Sequence, residues 1–152
     1  MSFDRARANC QKLQADLVHI DNADENTFLT NHLSTLKGIS FWIGLTDADR
    51  EGDFKWVDDN SRISFSDWSP SQPDNGGNKE DCTHIYAKWD YKWNDLNCLT
   101  PVKYICEEKK DEKKKQNINR IKTSKNFLKL IKESFKYVLC FSLKPNCVNY
   151  TN

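Results

Sequence analysis

Between Gln72 and Asp95 the chain concentrates amide and carboxylate side chains in a spacing suited to a hard divalent cation. The segments read Gln72-Pro73-Asp74, then Glu80-Asp81-Cys82, then Trp93-Asn94-Asp95-Leu96-Asn97-Cys98. Gln72, Asp74, Glu80, Asn94 and Asp95 offer five oxygen donors on two stretches that Cys82 and Cys98 can hold together. Ca²⁺ takes six to eight oxygens at roughly 2.3–2.6 Å, from carboxylates, amides, backbone carbonyls and water. Five side chains therefore leave positions for outside oxygens, such as two adjacent hydroxyls of a sugar. Catalytic patterns are missing. There is no H-E-x-x-H spacing, serine elbow or phosphate-cradling glycine loop, and Gly76-Gly77 reads as a turn. His19, His32 and His84 lie far apart and read as two strand residues and one helix residue, so no enzyme is expected.

The elements that must carry these donors follow from apolar periodicity. Phe3, Ala6, Cys10, Leu13 and Leu17 recur at steps of three or four and predict a helix capped by Ser2. Asn22 and Glu25 resemble a capping box for a second helix, with Phe28, Leu29, Leu33 and Leu36 on its buried face and Gly38 as its stop. Phe41-Trp42-Ile43-Gly44-Leu45 and Phe54-Lys55-Trp56-Val57 predict two strands, and strands resume at 82–87 and 102–106. From Asp58 to Glu80 the chain is rich in Ser, Asp, Asn, Pro and Gly, a long irregular loop of the kind that usually carries function. Trp42, Trp56, Trp68 and Trp93 read as core or loop packing.

Charge divides the 152 residues into two parts. Residues 1–106 hold 11 Lys/Arg against 17 Asp/Glu, a net −6, whereas 107–152 hold 12 against 5, a net +7. An acidic globular part suits cation binding and argues against a nucleic-acid groove. Glu107 to Lys115 is wholly charged and reads as a solvated linker. Beyond it, Phe127, Leu128, Ile131, Phe135, Val138 and Leu139 follow a helical period with Lys125, Lys129, Lys132 and Lys136 interleaved. That pattern predicts a basic amphipathic helix within 125–143, in weak contact with a membrane surface or a partner. Its longest apolar run, near 137–143, is far below the roughly 20 residues that span a bilayer. The predicted division is a domain at 1–107 and a basic extension at 108–152, disordered or partly helical.

Six cysteines, none in a C-x-x-C pair, favour disulfides over a zinc ribbon. Four of them, Cys10, Cys82, Cys98 and Cys106, fall in the acidic part and allow three pairings. Disulfides imply a secreted or extracellular setting. No signal peptide precedes the first helix, so an incomplete N-terminus is expected.

Together these residues resemble a C-type lectin-like domain over roughly residues 2–107. The resemblance rests on W-I-G-L at 42–45, E-G-D-F-K-W at 51–56, Q-P-D, E-D-C, W-N-D and the closing Y-I-C-E at 104–107. It implies an α+β fold, two helices flanking antiparallel sheets with a long calcium-binding loop. It also implies the pairings Cys10–Cys106 and Cys82–Cys98 and a cis bond before Pro73. The family's first strand, expected before Phe3, is missing, which predicts an unpaired sheet edge. By the same resemblance Gln72, Asp74, Glu80, Asn94 and Asp95 hold the principal calcium. Asp47, Glu51, Asn75 and Asp81, with Glu80 shared, match an auxiliary calcium position. The side chains of Gln72, Asp74, Glu80 and Asn94 would then hydrogen-bond the sugar hydroxyls on the ion. The order amide–Pro–acid resembles galactose-type members, predicting galactose or N-acetylgalactosamine glycans of cell surfaces or microbes as partners. Oligomers would supply avidity. Asn75-Gly76-Gly77 stands where strong galactose binders place a stacking aromatic, so Trp89 or Tyr91 is the expected substitute. The competing readings are a calcium-stabilised domain for a protein or ice surface, and a membrane-active protein working through residues 125–143.

Overall fold

The computed structural model describes residues 1–108, together with the backbone of 136–140 and 147–151. Helix α1 spans Phe3–Lys12 and buries Phe3, Ala6 and Cys10. Ser2 takes the N-cap position in an extended conformation, without a side-chain cap bond. The apolar stripe predicted to continue stops early. Leu13 is 49% exposed, Gln14 turns the chain with φ 60, and Leu17 belongs to strand β1, Ala15–Leu17. All three β1 residues are buried, Asp16 included, because Arg7 meets its carboxylate at 3.1 Å.

Helix α2 spans Ala23–Ser34. Asn22 caps it by accepting the Glu25 N–H at 3.0 Å, and the Glu25 carboxylate reaches back to the Asp21 N–H at 2.9 Å. Leu29 and Leu33 are buried as expected, whereas Phe28 lies at the rim and is 36% exposed. Gly38, at φ 72, follows the Thr35 C-cap in a conformation open mainly to glycine.

The sheet contains β2 (Phe41–Thr46), β3 (Lys55–Trp56), β4 (Cys82–Tyr86), β5 (Lys92–Leu96) and β6 (Lys103–Glu108). Its main path runs β5-β4-β2-β6. Pairings are antiparallel except between β2 and β6, which run parallel at Phe41↔Lys103 and Trp42↔Tyr104, so the sheet is mixed rather than purely antiparallel. Five successive β2 residues are buried because both faces of the strand are covered, which erases polar alternation. On one face Val18, Leu29, Leu33, Ile43, Trp56, Trp93 and Ile105 pack together. On the other, Phe3, Ala6, Leu17, Trp42 and Tyr104 do so. Gly44 permits a close backbone approach, since a Cβ there would stand 2.9 Å from the Leu17 carbonyl oxygen.

Disulfides join Cys10 to Cys106 and Cys82 to Cys98, closing separations of 96 and 16 residues. Chain entropy alone makes such links worth nearly 5 and about 3 kcal/mol respectively. The first ties α1 to β6, and the second braces the hairpin that carries Asn94 and Asp95.

The sheet edge expected to be unpaired is covered, beginning just before β6. Met1 exchanges both backbone hydrogen bonds with Val102, at 2.8 and 3.1 Å. Farther along, β7 (Lys136–Cys140) pairs with Tyr104–Glu107, and β8 (Cys147–Thr151) pairs with β7. The helix predicted within 125–143 therefore gives way to a strand at 136–140. An unpaired edge is a template for a strand, and Tyr137 and Val138 favour extended backbone. The rest of that predicted helix lies outside the described residues. The linker predicted from Glu107 also begins later, since Glu107 is a buried β6 residue that accepts the His19 N–H at 3.3 Å.

Candidate metal and ligand site

The site forms where the long loop returns onto β5. Trp93, Asn94 and Asp95 are all buried there, with Asn94 opposite His84 and Asp95 opposite Thr83. The Asp95 carboxylate, 1% exposed, folds the loop around itself: Oδ1 accepts the Asp74 N–H at 3.3 Å and Oδ2 the Asn75 N–H at 2.7 Å. The Gln72–Pro73 bond is cis. Gln72 Oε1 also accepts the Asp74 N–H, at 3.2 Å. Farther on, the Gly76 N–H donates to Glu80 Oε2 at 3.0 Å, and the Glu80 N–H donates to Asn75 Oδ1 at 3.1 Å. A Cβ on Gly76 would stand 2.8 Å from Glu80 Oε2, so this turn is shaped around the carboxylate.

These bonds bring carboxylate oxygens of Asp74, Glu80 and Asp95 within 4.8 Å of one another. Among the described residues, no basic side chain is ion-paired with any of the three. Burial pushes the Glu80 carboxyl upward, and the charges of Asp95 and Asp74 add to this against the pull of the Gly76 N–H. The Asn94 amide lies between the Asp95 carbonyl and His84, donating to both, with His84 Nε2 at 3.1 Å. Burial pushes the His84 imidazole down to about 4, so it is neutral at pH 7.

The second group named from sequence is linked but does not converge as tightly. Asn75 Nδ2 donates to Glu51, and the Asp47 N–H donates to the Asp81 carbonyl at 3.2 Å. Asp47 is 2% exposed; its Oδ2 accepts the Gly52 N–H at 2.8 Å, while Oδ1 has no partner among the described residues. Burial raises its pKa, and Glu51 and Asp81 contribute in the same direction.

Of the two aromatic candidates, Tyr91 packs into the core at 8% exposure and presents no ring to a ligand. Trp89 is exposed and sits edge-on to Tyr86, at the turn end of the β4–β5 hairpin. Sequence reasoning passed over Asn26 and Asp67. A buried asparagine in a helix and one acid in an acid-rich loop carry no local signal, yet both bond into the Trp93 neighbourhood.

The Lectin C-type domain family matches residues 1–108. The chain belongs to that family. It is 36% identical over 109 residues to the hepatic lectin of Gallus gallus, covering 71% of this chain and 50% of that protein. It is 35% identical over 115 residues to an alpha-N-acetylgalactosamine-specific lectin of Patiria pectinifera, covering 70% of this chain and 67% of the relative. Among solved structures, a mouse scavenger receptor C-type lectin carbohydrate-recognition domain superposes with TM-score 0.64 at 33% identity, over 69% of this chain and 80% of that one. The chain spans half the length of the hepatic lectin, so that likeness concerns the domain. The fold is thus an α+β C-type lectin carbohydrate-recognition domain with two helices, a mixed sheet and two disulfides. The family is a binding, non-enzymatic one whose members commonly hold Ca²⁺. Among the described residues no helix is long and apolar enough to cross a membrane.

Proposed function

We propose that this domain binds galactose or N-acetylgalactosamine glycans through a calcium ion held by Gln72, Asp74, Glu80, Asn94 and Asp95. The observation that carries this reading is the convergence of three carboxylates to which no basic side chain among the described residues is paired. The donor set is wholly oxygen, and its negative charge favours a hard divalent cation over a soft one. When bound, the ion supplies coordination positions for two vicinal hydroxyls of one sugar ring. Around it, the carboxylates of Asp74 and Glu80 accept hydrogen bonds from those hydroxyls, while the amides of Gln72 and Asn94 donate. A half-turn of the Asn94 amide exchanges its oxygen and nitrogen, which sets whether it donates to the Asp95 carbonyl or faces the ion. Asp47, Glu51, Asn75 and Asp81, with Glu80 shared, hold an auxiliary ion, in keeping with the buried Asp47 Oδ1, which has no partner among the described residues.

The amide–Pro–acid order supports galactose-type selectivity, as does likeness to a lectin named for alpha-N-acetylgalactosamine. Monovalent affinity is weak, because Trp89 stands at the far end of the hairpin, and several copies acting together provide avidity. Residues 1–107 form the binding unit, with 108–152 as an appendage. Two disulfides and likeness to a scavenger receptor domain support a secreted or extracellular setting. Passage over immobilised galactose and mannose tests the reading: retention on galactose alone, with elution by chelator, supports it. A second reading is favoured by the missing aromatic after Asp74. In it, calcium braces a surface for a protein or other non-sugar ligand, and the domain is retained on neither column despite binding the ion.

A further inference from the structure

We infer that Asn26, on helix α2, is a positioning residue for the calcium site, an assignment that rests on the calcium reading above. Asn26 is 5% exposed and uses both ends of its amide. Its Oδ1 accepts the indole N–H of fully buried Trp93 at 3.0 Å, and its Nδ2 donates to Asp67 Oδ2 at 2.7 Å. Lys92 Nζ donates to the other Asp67 oxygen at 2.5 Å.

Asp67 and Trp93 are themselves stitched together. The Trp93 N–H donates to the Asp67 carbonyl at 2.9 Å, and the Ser69 N–H and Oγ donate to the Trp93 carbonyl at 2.9 and 3.0 Å. The Gln72 N–H then donates to the Ser69 carbonyl at 3.0 Å. Both donor-bearing segments thus leave this one knot: Asn94 and Asp95 follow Trp93, and Gln72 and Asp74 follow Ser69. Asn26 fixes the knot to a helix that supplies no donor itself. A buried indole N–H requires an acceptor, and an apolar side chain at position 26 would leave it unpaired. The knot would then shift, moving the two halves of the donor set relative to each other. Groups that orient metal ligands typically govern affinity by tenfold to a hundredfold.

The test compares wild type, Asn26→Leu, Asp67→Ala and Asp67→Asn by calorimetric Ca²⁺ titration well below their melting temperatures. Amide hydrogen exchange of the metal-free proteins is followed in parallel at Ser69 and Gln72. Asn26→Leu and Asp67→Ala should each weaken calcium binding about tenfold or more and speed exchange at both amides. Asp67→Asn keeps an oxygen for Asn26 and should recover most of the affinity. Wild-type affinity and exchange in folded Asn26→Leu would overturn the assignment. Should that variant fail to fold, Asp67→Ala, changed at a partly exposed loop position, decides the matter by the same two readouts. Absence of Ca²⁺ uptake by the wild type would instead overturn the calcium reading, and this assignment with it.

Discussion

Near the β3 end of the sheet, Asp21, Asp58 and Asp59 gather around an imidazole; on the β5 side, Asp74, Glu80 and Asp95 gather around one another. The His19 ring stacks on Trp56 at 4.3 Å, with Nδ1 3.1 Å from Asp58 Oδ1 and Nε2 3.3 Å from Asp21 Oδ1. A neutral imidazole has a single N–H, so only the imidazolium donates to both carboxylates. Burial alone would lower the His19 pKa, but the Asp58 hydrogen bond and the charges of Asp58, Asp21 and Asp59 raise it overall. This region therefore favours a cation of its own, the imidazolium. In the other, mutual repulsion contributes to raising Glu80, and backbone N–H groups are the donors shown. The number of acids is similar in both places. Ligand atoms of His19, Asp58 and Asp59 also converge within 4.8 Å, so what separates the two groups is that the fold brings a base to the acids in one and, among the described residues, not in the other.

The largest effect that would break this contrast comes from removing one carboxylate on each side. Asp95→Ala should abolish the calorimetric signal for Ca²⁺, whereas Asp58→Ala should leave it unchanged. A signal persisting in Asp95→Ala, or lost in Asp58→Ala, would reverse the roles of the two regions. The same pair can be read by melting: free Ca²⁺ at one hundred times its dissociation constant stabilises a folded protein by about 2.7 kcal/mol. Wild type and Asp58→Ala should gain that increment, and Asp95→Ala should not.

Next in size is selectivity. Exchanging the acid and amide through Gln72→Glu with Asp74→Asn, and leaving Pro73 in place, keeps the charge of the loop while reversing donor and acceptor. Retention should move from galactose toward mannose, measured on paired columns. Continued galactose preference would assign selectivity to residues outside the tripeptide. A smaller effect is expected from Gly76→Ala, whose Cβ would press on Glu80 Oε2. Because the Glu80 side chain can yield, calcium affinity should fall only severalfold, as titration would reveal.

The smallest effect belongs to the His19 region. Its folded-state pKa lies above the ordinary 6.5, so its stabilisation is complete below about pH 6.5 and is lost as pH rises through the raised value. Without calcium, the melting temperature of wild type should therefore decline across that window more steeply than that of His19→Gln. Parallel slopes from about pH 5.5 to 8.5 would show that His19 is not the internal cation.

Much of the frame was legible in the chain because its signals are local. The buried run at Phe41–Leu45, the Asn22 cap and the punctuated loop after Asp58 each declare themselves within a few residues. Other elements were hidden. β1 has three residues and buries a charged one, which alternation disguises, and Arg7 is what makes it tolerable. β5 was concealed because Trp93-Asn94-Asp95 reads as a ligand motif first and a strand second. Tyr91 and Trp89 look alike in sequence, and only the packing places one in the core and the other in solvent.

From its sequence alone this protein determined the chemical types of its donors, their grouping around Pro73 and Trp93, and the cysteines available to brace them. The tertiary structure decided which acids converge, which meet His19 from 39 positions away, and which helix residue reaches Trp93 across 67 positions. The physical reason is range. Donor chemistry resides in a single side chain, whereas the charge balance and orientation that give it a role come from neighbours that only folding supplies.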